Sequence, residues 1–239
     1  VVEAHDGELI YAGGDDVLAL LPASRALACA EALRALFRGE PPAGQSRYRL
    51  AVVQPGFVSA GTGIPLVMPG PEADVSVGLA VGHQNAPLQS LVREARNAER
   101  RAKNTYGRGA LAVSLYKRSG EIIEWGCKWD DASGRVALGL MRRLTDAATG
   151  DQLSGRFPYV LAGLLKPYAV RGSKPELMPV IRAEIRHALE RQGAGLAANE
   201  REALAGMIDA YLTQTADRLE DFINLFLTET FINRSRGED

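Results

Sequence analysis

The hydrophobic period of this chain changes once, near residue 129, and that change constrains the fold more than any other feature. Before it, short apolar runs with strand-like alternation are interleaved with amphipathic helical stretches; after it only 3.6-residue periodicity remains. Strands and helices mixed first, helices alone afterwards, is the pattern of an α+β domain followed by an all-α bundle. At 239 residues the chain is long enough for two cores. The expected division is 1–128 and 129–239.

Leu9 to Ala12 and Val17 to Leu21 flank the sequence GGDD and predict a buried β-hairpin. Ser24 is the expected N-cap of a helix running to Phe37, with Leu27, Ala30, Leu33 and Phe37 on its apolar face. RLAVVQ predicts a strand, between a Gly/Pro-rich loop at 39–45 and a long Gly/Pro-rich excursion at 55–71. In DVSVGLAVG, residues 74–82, one face carries Val75, Val77, Leu79 and Val81 while Ser76, Gly78, Ala80 and Gly82 leave the other nearly bare. A helix, a backbone or a ligand can approach such a face closely.

Asn85 and Pro87 open a predicted helix through Thr105, with Leu88, Leu91, Val92, Ala95, Ala98 and Ala102 as its apolar stripe. Ala110 to Tyr116 is expected to be the final strand, followed by a basic turn, Lys117 to Gly120. Five helices are predicted beyond it: Arg135–Ala148, Pro158–Ala169, Pro175–Gln192, Glu200–Arg218 and Leu219–Ile232.

A hydrophobic content of 46%, 24% charged residues and a net charge of -1 place the chain among globular proteins. A balance so near zero gives no global field for nucleic acid, so any affinity for anions must come from a local patch. Cys29 and Cys127 are too few and too isolated for a structural zinc site or a disulfide framework. No apolar run approaches the length of a membrane span, and no signal-peptide layout opens the chain, so no membrane association and a cytoplasmic location are expected. The first residue is Val1, in a strand-like stretch, and the expectation is that further sequence precedes it.

Two segments carry chemistry. Turn geometry accounts for Gly13, Gly14 and one aspartate of GGDD. A second adjacent carboxylate adds repulsion that a turn does not need, and a divalent cation reverses the sign of that contribution, since Mg²⁺ is commonly held by one or two carboxylates plus substrate phosphates. The second segment is AERRAKNTYGRGAL, residues 98–111. Residues 93–108 hold six basic and two acidic side chains, which for most helices is a solvated face. Lys103 is more specific, because it stands in the last turn before a Gly-containing loop, where a lysine can reach a polyphosphate as a point charge.

YAGGDD, SVGLAVG and EARNAERRAKNTYGRGALAVSLYKRSGE, in this order and at these separations, resemble the palm or nucleotide-cyclase (ferredoxin-like) fold of GGDEF-type cyclases. They are most similar to the second palm domain of the large subunit of type III-B (Cmr-type) CRISPR effector complexes. GGDD in place of GGDEF favours the CRISPR subunit over a diguanylate cyclase, and a helical domain follows the palm in that subunit. The resemblance implies a nucleotidyltransferase that condenses ATP into cyclic oligoadenylate messengers in antiviral defence, once its complex has bound target RNA. It implies Asp15 and Asp16 as the catalytic, metal-binding pair for Mg²⁺ or Mn²⁺, and Gly13, Gly14, Ser76 and Lys103 as nucleotide-binding positions. Other effector subunits, guide RNA and target RNA are the implied partners. Cyclase sites of this kind take a further carboxylate from a strand upstream of the hairpin, for which this chain has no room, so the palm is expected to be N-terminally incomplete and to need an upstream palm for activity.

The rival expectations are a non-catalytic scaffold palm in the same kind of complex, and a diguanylate-type cyclase. His5, His83 and His187 lack partners at metal spacing and are expected on the surface or in packing. Trp125 and Trp129 are expected to anchor the junction to the helices, and Phe222, Leu225, Phe226 and Phe231 to form bundle core or a docking surface for a small subunit. No serine has a nearby His/Asp pattern, so hydrolase chemistry is unsupported.

Overall fold

A computed structural model of the chain describes residues 1–14, 16–60, 64–170 and 175–234. The protein is α+β. Its residues form two compact units, Val1–Val77 and Gly78–Arg234, and each is described by itself.

The first unit opens with a short 3-10 turn and the hairpin β1 (Glu8–Gly13) and β2 (Asp16–Leu20). The strands are antiparallel, with a register irregularity between Leu9 and Tyr11. Helix α1 (Ala23–Phe37) follows. Pro22 is its N-cap and Ser24 lies inside the first turn, buried, so the expected serine cap is corrected: a proline already committed to an extended ψ ends the strand and starts the helix. Ala26, Cys29, Ala30, Ala32 and Leu36 are the other buried positions of α1, a face rotated from the predicted one, with Leu27, Leu33 and Phe37 only half-buried.

The Gly/Pro-rich excursion is not structureless. Strands β3 (Ala51–Gln54), β4 (Phe57–Ser59) and β5 (Pro65–Val67) make an antiparallel sheet of their own. Two of them are three residues long, too short to show a hydrophobic period. Asp74 ties this unit together by a bidentate pair with Arg34, Nε to Oδ1 at 2.7 Å and Nη2 to Oδ2 at 2.8 Å, and a longer contact from Arg38. His5 is buried against Tyr48, whose hydroxyl lies 2.8 Å from its Nε2. Burial, then the charges of Arg47 and Arg25, push the imidazole below its ordinary range, so it packs as a neutral ring.

In the second unit β6 (Val77–Gly82), β7 (Ala110–Tyr116) and β8 (Ile122–Lys128) form one sheet in that order. β7 is therefore not the last strand. It turns through Lys117–Glu121 into β8, paired antiparallel from Ala110↔Lys128 to Tyr116↔Ile122. Helix α2 (Leu88–Asn104) covers one face of the sheet. Its cap is Pro87 rather than Asn85, and Leu88, expected in the apolar stripe, is exposed. Ala98 and Ala102 of the helix meet Ala110 and Ala112 of β7 in a core of methyl groups, with Tyr106 packed against it. The same economy holds at Gly78: a Cβ there would stand 2.2 Å from the backbone nitrogen of Glu99 and 2.4 Å from the carbonyl of Ala95. The bare face of DVSVGLAVG is thus the seat of a helix.

Five helices complete the unit: α3 (Ala132–Thr149), α4 (Phe157–Val170), α5 (Met178–Gln192), α6 (Ala198–Gln214) and α7 (Leu219–Arg234). Asp131 caps α3 by accepting from the Gly134 N–H at 2.6 Å. α7 lies on β7 and β8, and α3 on β8, so sheet and bundle share one core. Trp125 is fully buried and its Nε1–H donates to the Tyr211 hydroxyl at 3.0 Å, while Tyr211 stacks on Phe222. Burial raises the Tyr211 phenol far above its ordinary range. Phe222, Leu225 and Phe226 are bundle core, and Phe231 is half-buried. Among the described residues no helix is long and apolar enough to cross a membrane.

Candidate functional site

The GGDD hairpin is formed as the sequence predicts, but its setting differs. Leu9 (49%), Tyr11 (56%) and Val17 (51%) are all exposed, with Ile10 and Leu20, so the expectation of a buried hairpin is corrected. Within a two-stranded ribbon neither face has a second layer to close on. The tip is tight: Gly13 pairs with Asp16 across the ladder, and Gly14 takes φ +61°. That left-handed backbone suits glycine. A Cβ built on Gly14 would meet nothing within 4 Å, so the space above the turn is open. Gly13 is different, because the ring of Tyr11 lies over it, with the hydroxyl 2.4 Å from where a Cβ would be.

Asp16 begins β2, is exposed, and makes no ion pair among the described residues. Asp15 lies outside the described residues. No group of three or more His, Cys, Asp or Glu side chains converges as a metal site among the described residues. Asp16 suits a hard cation in kind, since it offers carboxylate oxygens from an exposed position. They are too few to saturate one, which leaves room for phosphate and water oxygens.

Ser76 stands one residue before β6, half-buried and outside any strand, so the predicted strand from Asp74 begins three residues later. Lys103 occupies the last turn of α2, as expected, in the second unit. Its Nζ is 2.5 Å from Glu99 Oε1, an i,i+4 pair, and the side chain remains 40% exposed. The candidate residues are thus divided: Gly13, Gly14, Asp16 and Ser76 in the first unit, Lys103 in the second.

The loop after α2 is held by residues the sequence did not mark. Lys128, at the end of β8, donates to the carbonyls of Gly107 at 2.8 Å and Arg108 at 2.9 Å. Arg101 leaves α2 inward, donating to Glu124 Oε1 at 2.7 Å, Ser114 Oγ at 2.9 Å and the Val113 carbonyl at 3.0 Å. Tyr106, whose phenol burial pushes up to about 12, seals the same loop. A lone lysine and one arginine among six basic residues carry no sequence signal that separates them from solvated neighbours. The histidines play no part: His5 is packed against Tyr48, His83 partners the Arg118 guanidinium, and His187 is exposed on α5.

Residues 1–112 match the family model of the second palm domain of Cas10/Cmr2. The CRISPR system Cmr subunit Cmr2 of Pyrococcus furiosus is 35% identical over 129 residues, which are 52% of this chain and 12% of that protein. The chain therefore spans a small part of the length of the curated relative it matches.

Proposed function

We propose, from the premise that residues 1–112 are a Cas10/Cmr2-type second palm domain, that this chain is part of a type III CRISPR large subunit and serves metal-dependent nucleotidyl transfer from ATP. In this reading the palm spans 1–128, the helical domain spans 129–239, and the product is a cyclic oligoadenylate made when target RNA is bound. The observation that carries it is the hairpin tip: an acidic turn with open space over Gly14 and an exposed Asp16 without an ion pair among the described residues, in the stretch that matches the palm model.

Asp15 and Asp16 would hold Mg²⁺ or Mn²⁺, and the ion would supply Lewis acidity to a phosphoryl oxygen. The rest is positioning and charge. Gly13 and Gly14 leave the backbone open to the nucleotide, Lys103 offers its ammonium to phosphate, and Ser76 offers a hydroxyl. The 3′-hydroxyl of one ATP attacks the α-phosphorus of another; the new P–O bond forms as the bond to pyrophosphate breaks, and the hydroxyl proton passes to solvent. Other effector subunits, guide RNA and target RNA are the partners this reading implies.

The test is the assembled complex with guide RNA, target RNA, ATP and Mg²⁺ or Mn²⁺, analysed for cyclic oligoadenylates. Wild type is expected to give product and Asp15→Ala/Asp16→Ala none. Lys103→Ala is expected to raise the apparent KM for ATP while leaving the Mn²⁺ dependence unchanged; an unaltered KM removes Lys103 from the site. The scaffold reading draws on the exposed apolar side chains of β1 and β2, which could seat a neighbouring subunit. An assembled, RNA-bound complex with no product favours it, and product from GTP instead favours a diguanylate-type cyclase.

A further inference from the structure

A groove of about 810 Å³ runs along the outer side of α2, and the described residues that line it are Leu88, Gln89, Val92, Arg93, Arg96, Glu99 and Arg100. They form two parallel rows. Gln89, Arg93, Arg96 and Arg100 make one row, the arginines at i, i+3 and i+7; Leu88, Val92 and Glu99 make the other. All three arginines are exposed, and Leu88 is 53% exposed.

The charges of this groove are not balanced from within. The carboxylate of Glu99 is engaged by Lys103 at 2.5 Å. Arg100 donates to the amide oxygen of Asn97, a neutral partner. Arg93 and Arg96 have no hydrogen bond or ion pair among the described residues. Like charges at i,i+3 and i,i+4 oppose helix formation by a few tenths of a kcal/mol per pair, so the row carries a small internal cost that a bound anion would relieve. The whole chain has a net charge of -1, and the row is a local exception to that balance.

We infer that this groove binds the backbone of single-stranded nucleic acid, with Arg93, Arg96 and Arg100 each addressing a phosphate and the Leu88/Val92 row receiving sugar or base faces. A rise of about 1.5 Å per residue sets the arginines about 4.5 and 6 Å apart along the helix, near enough to one another to address successive charges of an extended strand. The guanidinium fork matches phosphate oxygens two at a time, and Leu88 and Val92, the uncharged members of the neighbouring row, suit the apolar faces of sugars and bases. The inference is independent of nucleotidyl transfer, because it concerns binding alone and none of the residues proposed for that chemistry.

The experiment is fluorescence anisotropy of a labelled oligouridylate with the full chain across a salt series. Wild type is expected to bind at low salt. Replacing all three arginines, Arg93→Gln/Arg96→Gln/Arg100→Gln, is expected to weaken binding on the order of tenfold or more and to flatten the log–log salt slope by about 2, the loss of three single-strand phosphate contacts. Circular dichroism and thermal melting of the triple variant check that it folds; if it does not, the single variants Arg93→Gln and Arg96→Gln are each expected to flatten the slope by about 0.7. Lys117→Gln/Arg118→Gln, which removes two charges from the turn between β7 and β8, is expected to change little. No binding by wild type at low salt, an unaltered slope in the arginine variants, or binding of polyglutamate in place of oligouridylate would each overturn the inference, the last by making the groove a surface for an acidic protein.

Discussion

The hairpins β1–β2 and β7–β8 are both antiparallel and both rich in apolar side chains, yet they stand at opposite ends of the burial scale. From Ala110 to Leu115 every residue of β7 is buried, whereas Leu9, Ile10, Tyr11 and Val17 of the first hairpin are about half exposed. Apolar content does not explain the difference; layering does. β7 has α2 on one side, close enough for alanine to fill the gap, and α7 on the other. The first hairpin is a ribbon of two strands within its unit. Core packing thus falls to the second hairpin and not to the first.

Three substitutions test that contrast, beginning with the largest effect. Trp125→Ala removes the biggest fully buried side chain of the second unit and leaves the Tyr211 hydroxyl without its donor. It is expected to cost about 3–5 kcal/mol, read as a fall in the denaturant midpoint; a loss below about 1 kcal/mol would break the claim that sheet and bundle share one core. Gly78→Ala comes next. Its methyl group would run into the backbone of α2, and the expected cost is about 1–3 kcal/mol, again by denaturant unfolding. Ile10→Thr on the exposed hairpin keeps a β-branched residue where nothing covers it, so stability should stay within about 0.5 kcal/mol. A larger loss would show that this hairpin is buried in solution.

Where periodicity spans several turns, sequence and structure agree closely. Leu219–Ile232 was expected as a helix and Leu219–Arg234 is observed, because a run containing Phe222, Leu225 and Phe226 leaves no other way to bury three large side chains on one face. Strand β8 escaped because the basic turn at 117–120 reads as an ending. Its signal was nonetheless present, in Ile123, Trp125, Cys127 and Trp129, every second residue and all buried. The strands of the 55–71 excursion are too short to announce themselves, and the exposure of β1–β2 depends on what packs against a strand, which no local pattern encodes. At the candidate site, GGDD foretold the turn and its open glycine, and the last-turn position of Lys103 was legible from the Gly-containing loop beyond it. The clamp by Lys128 was not, since it depends on where β8 ends.

Arg101 carries a consequence for how α2 can behave. Its guanidinium is held by three oxygens, on Glu124, Ser114 and the Val113 backbone, all belonging to the two strands beneath the helix. A helix seated on alanine and glycine has a smooth underside and would otherwise be free to roll or slide like a rod on a flat bed. Arg101 works as a key in a slot: any rotation of α2 must first break those bonds, so the bearing of its outer arginines is set from the inner side.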